Sequence, residues 1–208
     1  MNFTVSDGRL RGSREPCGSL LVGMTGSVGA VAMPQFVLHL RLLGIEAVHI
    51  LMSAAACKFV TPYVMQLHSG NHVYTDSFET HDRVSVPHIA LPRKSKLFLV
   101  MPATANILGK AANGICDDLI STAILAATSP VMFVPSMNGA MWGNPILQEN
   151  VQKLRRTGHR VLEPSEGIEI SNLEPTRGCM PPLSSVADEI MQLLSTPSES
   201  SVRIELDE

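Results

Sequence analysis

Four short apolar runs, each followed by small residues and then by a helical pattern, restrict this chain to very few architectures. The runs are Ser19-Met24 (SLLVGM), Ile45-Met52 (IEAVHILM), Leu97-Met101 (LFLVM) and Val131-Val134. Near-continuous apolar strands are buried on both faces, and strands alternating with helices form a parallel sheet with helices packed on each side. Helical periodicity follows at Val28-Leu43, Ala105-Ala112, Asp117-Ala127 and Ile146-Thr157, and Leu183-Leu194 closes the pattern. The stretch Thr61-Arg93 is turn-rich and less regular, and reads as an excursion over the sheet edge or a binding segment. The expected organisation is a flexible leader over 1–18, one α/β domain over 19–195 and a polar tail over 196–208.

The totals narrow the function. With 208 residues, 45% hydrophobic and 17% charged, the chain is long enough for a single sizeable core. A net charge of -3 provides no basic footprint for nucleic acid. Cys17, Cys57, Cys116 and Cys179 lie far apart with no CxxC pair, which argues against zinc or a disulfide framework and for reduced thiols in a cytoplasm. The N-terminus lacks the apolar stretch of a signal peptide, and no run reaches the roughly 18 to 20 apolar residues of a membrane span.

Ligands of such open sheets sit beyond the carboxyl ends of the strands, so the residues there carry the information. The first strand ends in Thr25-Gly26-Ser27-Val28-Gly29, which can aim backbone N–H groups and a hydroxyl at an anion, and which serves equally as a tight turn with an N-cap. Its glycines run G-x-x-G-x-x-G, so neither the dinucleotide fingerprint nor a Walker lysine is present. Ser53 after the second strand is a second hydroxyl that is either a cap or a phosphate ligand. The third strand leads into Pro102-Ala-Thr104-Ala105-Asn106 and on to Asn113 and Asp117. The fourth leads into PSMNGAMWGNP, Pro135 to Pro145, with two methionines and the only Trp around an uncharged amide. Taken singly, Asn106, Asn113 and Asp117 suit capping and turns. Together these loops suit a flat, largely apolar heterocycle with a few hydrogen-bonding edges.

The segment PATANILGKAANGICDDLIST, the motif PSMNGAMW and His88 within VPHIAL, in that order and spacing, resemble the homo-oligomeric flavin-containing cysteine decarboxylases, over about Gly18 to Leu194. The resemblance implies a single-domain Rossmann-like (flavodoxin-like) fold, FMN as cofactor, and a homotrimer, assembled further into a dodecamer in some members, with FMN at the subunit interface. It implies cofactor contacts from Gly26, Ser27, Val28, Ser53, Thr104, Ala105, Asn106, Asn113 and Asp117, with Ser27 and Ser53 on the phosphate. Asn138 would hold the substrate carboxylate, with Met137, Met141, Trp142 and Met180 around it, and His88 would act near the thiol.

Two branches of that family differ in a mobile segment. The coenzyme A enzymes, phosphopantothenoylcysteine decarboxylases, carry a Cys eight residues before a Met, and that thiol protonates the enethiol. Aligned on Met180, the position here is Asn172, while Cys179 sits beside the Met and reads as a buried or incidental thiol. Pro181 after the Met also resembles the epidermin- and mersacidin-type enzymes. The expected activity is therefore oxidative decarboxylation of the C-terminal Cys of a ribosomally made precursor peptide, giving an aminoenethiol for aminovinyl-cysteine. The alternatives are phosphopantothenoylcysteine decarboxylase itself, or a non-catalytic phosphatase-regulating relative.

Overall fold

The computed structural model describes residues 4–6, 9–11, 18–82 and 84–195. Most of the expected leader and all of the expected tail lie outside the described residues. Within the leader, Thr4–Ser6 and Arg9–Arg11 pair as two short antiparallel strands.

Six parallel strands form the central sheet: β1 (Ser19–Met24), β2 (Ala47–Met52), β3 (Val73–Tyr74), β4 (Leu97–Ala103), β5 (Val131–Pro135) and β6 (Arg160–Val161), in the order β3-β2-β1-β4-β5-β6. The period of two along β1 divides the core. Leu20, Val22 and Met24 face one layer, formed with α1 (Met33–Leu42) and the C-terminal helix, while Leu21 faces the other. That second layer holds α3 (Pro87–Lys94), α4 (Ala105–Asn113), α5 (Leu119–Leu125) and α7 (Pro145–Arg156). The remaining helices are α2 (Pro62–Ser69), the one-turn α6 (Gly139–Trp142) and α8 (Leu183–Ser195). Both layers are apolar throughout, so burial on two faces fixes the strand positions without any help from polar alternation. No described helix is long and apolar enough to cross a membrane.

Three expectations need correction. Thr61-Arg93 is not an irregular excursion, because it contains α2, the edge strand β3 and α3. Periodicity could not reveal them: β3 has two residues, and α3 has Pro87 at its start and Pro92 inside. The helix expected from Val28 begins as a tight 3-10 turn over Val28–Ala32, and the α-helix starts at Met33 beside Pro34, which has no N–H to give. The segment around Ile168–Pro182, expected as a flexible loop over the substrate, is largely part of a β-hairpin, β7 (Ser165–Ile168) with β8 (Pro175–Cys179).

Chain reversal puts the ends of β1 and β4 side by side. Thr25 joins them: its hydroxyl donates to the Pro102 carbonyl at 2.6 Å and accepts from the Thr104 N–H at 3.1 Å. Helix caps then sit at the same end. Thr104 caps α4 and Asp118 caps α5 through a capping box with Ser121. Burial pushes the Asp118 carboxyl up, but the Lys110 ammonium at 2.7 Å and the Ser121 N–H at 2.8 Å outweigh it and hold it below the usual carboxylate range. Its stabilising contribution is therefore present above the unfolded value and lost as pH falls through the folded one. Asp118→Ala should cost about 1–2 kcal/mol at neutral pH by chemical denaturation, and the gap to wild type should close as pH falls below about 4. A gap independent of pH would show that the carboxylate charge is not involved.

Candidate functional site

Two hollows open over the carboxyl ends of the strands. The larger, about 620 Å³, lies between the Gly26–Gly29 turn, the Ser136–Met141 loop and the β7–β8 hairpin. The smaller, about 340 Å³, lies between Ser53, the start of α4 and the start of α5. They share Gly26, Thr104, Ala105 and Met141, so they form one bipartite cleft around the β1–β4 switch point.

Hydroxyls and amides supply its polar edges. Ser27 and Ser136 share a hydrogen bond at 2.6 Å, and Ser27 Oγ also accepts from the Gly29 N–H at 3.3 Å. Ser53 Oγ accepts from the Ala56 N–H at 3.1 Å. A Cβ on Gly26 would strike Ala55, so the turns bearing Ser27 and Ser53 pack directly against each other. Among the described residues, no lysine, arginine or histidine lines either hollow, and the charged lining is Glu169 in the larger and Asp118 in the smaller.

Asn138 caps the one-turn helix α6, and the cap fixes its amide. Oδ1 accepts from the Ala140 N–H at 2.7 Å and the Met141 N–H at 3.4 Å, which commits the oxygen to the backbone. Nδ2 therefore has both N–H groups free of partners among the described residues, on a residue that lines the larger hollow.

The hairpin closes against the same loop. The Met137 N–H donates to the Gly178 carbonyl at 2.9 Å, and the Gly139 N–H donates to Thr176 Oγ1 at 3.1 Å. A Cβ on Gly178 would strike the Met137 carbonyl oxygen, and one on Gly139 would strike Thr176 Oγ1, so only bare backbone allows this approach. Met180 is in the larger hollow with its thioether against Gly29.

Of the residues expected at a site, Gly26, Ser27, Val28, Thr104 and Ala105 line the larger hollow with Met137, Asn138, Met141 and Met180. Ser53 and Asn106 line the smaller. The others lie elsewhere in this chain. Asn113 ends α4, donating to the Gly109 carbonyl at 2.9 Å and to Asn150 on α7 at 3.2 Å. Asp117 pairs with Lys110 at 2.6 Å. Trp142, expected as part of the wall, is 7% exposed and packs in the core layer of α4 and α7. His88 lies in the first turn of α3, outside both hollows, with a buried Nδ1 that has no partner among the described residues.

Sequence reading missed several lining residues. Ser136 and Asp118 fall inside the quoted motifs without being singled out, and only the pairing of the hairpin brings Thr176 and Glu169 to the cleft. Cys179, read as incidental, is half-buried on the wall of the larger hollow, where a Cβ on Gly167 would strike its sulfur. Asn172 is on the exposed hairpin turn, its Oδ1 accepting from the Glu174 N–H at 3.1 Å. Among the described residues no group of three His, Cys, Asp or Glu is arranged to hold a metal ion.

The family described as Flavoprotein matches residues 11–195. This chain belongs to the Flavoprotein family. It is 42% identical over 120 residues to the coenzyme A biosynthesis bifunctional protein CoaBC of Bacillus subtilis, covering 58% of this chain and 30% of that protein. It is 31% identical over 167 residues to mersacidin decarboxylase of a Bacillus species, covering 78% of this chain and 84% of the relative. The chain thus spans about a third of the length of the bifunctional relatives it matches. Among solved structures, the FMN-dependent cysteine decarboxylase SpaF has a TM-score of 0.73 at 35% identity, over 85% of this flavoprotein and 97% of SpaF. A phosphopantothenoylcysteine (PPC) decarboxylase variant complexed with pantothenoylaminoethenethiol has a TM-score of 0.76 at 25% identity, over 88% of this chain and 100% of that one.

Docking of the hairpin on the Asn138 loop requires Gly178. Gly178→Ala should cost about 1–3 kcal/mol and speed hydrogen exchange of the amides over 165–179. Gly143→Ala, whose Cβ would meet only the Gly139 carbonyl at 3.5 Å, should leave that exchange unchanged. Equal exchange in both variants would contradict the docking account.

Proposed function

We propose that this flavoprotein is an FMN-dependent cysteine decarboxylase that acts oxidatively on the C-terminal cysteine of a ribosomally made precursor peptide, leaving an aminoenethiol. The observation that carries the decarboxylase reading is the Asn138 amide, turned by its cap so that a neutral donor faces the cleft.

The cleft suits FMN on its own features. It joins two hollows of about 620 and 340 Å³, has an apolar wall with Met137, Met141 and Met180, and has hydroxyls at Ser27, Ser53 and Thr104. Ser27 and Ser53, on turns packed together at Gly26, would hold the phosphate, and the Thr104–Asn106 turn would lie along the ring. When bound, FMN supplies the acceptor for the two electrons that leave the substrate as its cysteine C–S unit becomes a thioaldehyde.

The chain's own residues act on the carboxylate. Losing CO2 discharges it, leaving an electron pair that delocalises onto sulfur. A strong cation would stabilise the charged ground state and slow that loss, whereas the Asn138 N–H groups orient the carboxylate with less ground-state stabilisation. Met137 and Met141 would give that place apolar walls. His88 would serve the thiol. Since it lines neither hollow of its own chain, that role calls for the neighbouring subunit of the homo-oligomer that the resemblance implies.

The peptide branch is supported by Asn172, which stands where the coenzyme A enzymes keep their proton-donating thiol, and by the similarity to mersacidin decarboxylase. A second reading, decarboxylation of phosphopantothenoylcysteine without net oxidation, is favoured by a specific observation: Cys179 lines the cleft beside Met180 and offers a thiol from another position. The similarity to CoaBC favours it equally.

Mass spectrometry of a peptide ending in cysteine and of phosphopantothenoylcysteine, each incubated aerobically with the FMN-loaded protein, separates the readings. Loss of CO2 plus two hydrogens from the peptide is expected, abolished in His88→Asn and reduced at least about a hundredfold in Asn138→Ala. Loss of CO2 alone from phosphopantothenoylcysteine, changing to loss of CO2 plus two hydrogens in Cys179→Ser, would establish the second reading.

A further inference from the structure

One carboxylate stands alone in the wall of the larger hollow. Among its lining residues Glu169 is the charged one. Its backbone closes the hairpin turn: its N–H donates to the Glu174 carbonyl at 2.8 Å, and its own carbonyl accepts from the Leu173 N–H at 2.8 Å. The side chain is thereby anchored at the cleft rim. Oε1 accepts from the Ser171 hydroxyl, and Oε2 has no partner among the described residues.

The hairpin's own arginine, Arg177, turns away from the cleft. In the hairpin register Thr176 stands opposite Gly167, and both face the cleft, where Cys179 meets Gly167 and Thr176 meets Gly139. Glu169, just past the end of β7, lines the hollow, whereas the Arg177–Glu166 pair, alternating with Thr176–Gly167 along the strands, falls on the other face of the hairpin and is not among the lining residues. Arg177 lies 3.6 Å from Glu163, and Arg155 pairs with Glu163 at 2.6 Å. Among the described residues, no lysine, arginine or histidine lines the hollow beside Glu169. On either side of it, Ile168 and Ile170 are 55% and 66% exposed and also line the hollow. A carboxylate between two exposed aliphatic side chains matches a lysine or arginine, whose alkyl stem lies on apolar surface while its head meets the charge.

We infer that Glu169 reads the charge of the substrate segment preceding the cysteine, selecting peptides with lysine or arginine there and disfavouring acidic residues or a phosphate-bearing tail. The inference rests on the reading that a peptide ending in cysteine is the substrate, and it concerns a specificity-determining residue outside the reacting atoms.

The test uses the full FMN-loaded chain and two fluorescein-labelled pentapeptides ending in cysteine, one with two lysines and one with two glutamates before it. Fluorescence anisotropy should show the lysine peptide binding about five- to tenfold more tightly, a preference that shrinks as salt is added. Glu169→Gln should remove the preference and Glu169→Lys invert it, while Glu166→Gln, the same charge change on the opposite hairpin face, should preserve it. Equal affinities in the wild type, no binding of either peptide, or a preference abolished by Glu166→Gln but not by Glu169→Gln would each overturn the inference. Because the readout is binding, it separates from the proposed reaction. A charge preference without loss of CO2 leaves Glu169 as selector and removes the decarboxylase reading, whereas loss of CO2 from both peptides without preference removes the selector alone.

Discussion

Everything at the cleft depends on how β1 and β4 part. The chain builds β1, β2 and β3 outward in one direction, then returns to lay β4 on the free side of β1, so the segments leaving those two strands must diverge. Thr25 spans the divergence with one hydroxyl that donates to β4 and accepts from the residue after it. From that point the Gly26–Gly29 turn leads to one helical layer and the Thr104 turn to the other, leaving the bipartite hollow between them. An apolar sheet buried on both faces holds the strand ends in register, so the site rests on rigid elements.

The polar chemistry of the cleft is largely capping chemistry put to further use. Ser53, Thr104, Asp118 and Asn138 each satisfy backbone N–H groups at the start of a helical turn. The commitment of one atom orients what remains. For Asn138 this matters most, because an amide with its oxygen occupied can only donate, and a carboxylate can only accept. The hairpin then fixes the loop from outside through Gly178 and Thr176, bringing Cys179, Met180 and Glu169 to the same wall.

Much of this was legible in the chain. Unbroken apolar runs marked four of the six sheet strands, and small or amide residues after them marked the ligand end. The turns at Gly26, Ser53, Thr104 and Asn138 all reach the cleft. What escaped was non-local or too short to have a period. The two-residue strands β3 and β6 exist only because a neighbour offers an edge. The hairpin depends on pairing across a six-residue turn, so its cleft face, with Thr176, Glu169 and Cys179, could not be read from spacing. Trp142 misled for the opposite reason: its motif belongs to the loop, but its ring is large enough to serve the core.

The central claim is that the Asn138 amide holds a carboxylate by neutral donation. Calorimetric binding of a cysteine-terminated peptide and its C-terminal amide to the FMN-loaded wild type and to Asn138→Ala tests it most directly. The account predicts that the free acid binds the wild type about tenfold or more tightly than the amide, and that Asn138→Ala brings the two within about twofold of each other. An acid preference that survives unchanged in Asn138→Ala would mean that another group holds the carboxylate and would contradict the account.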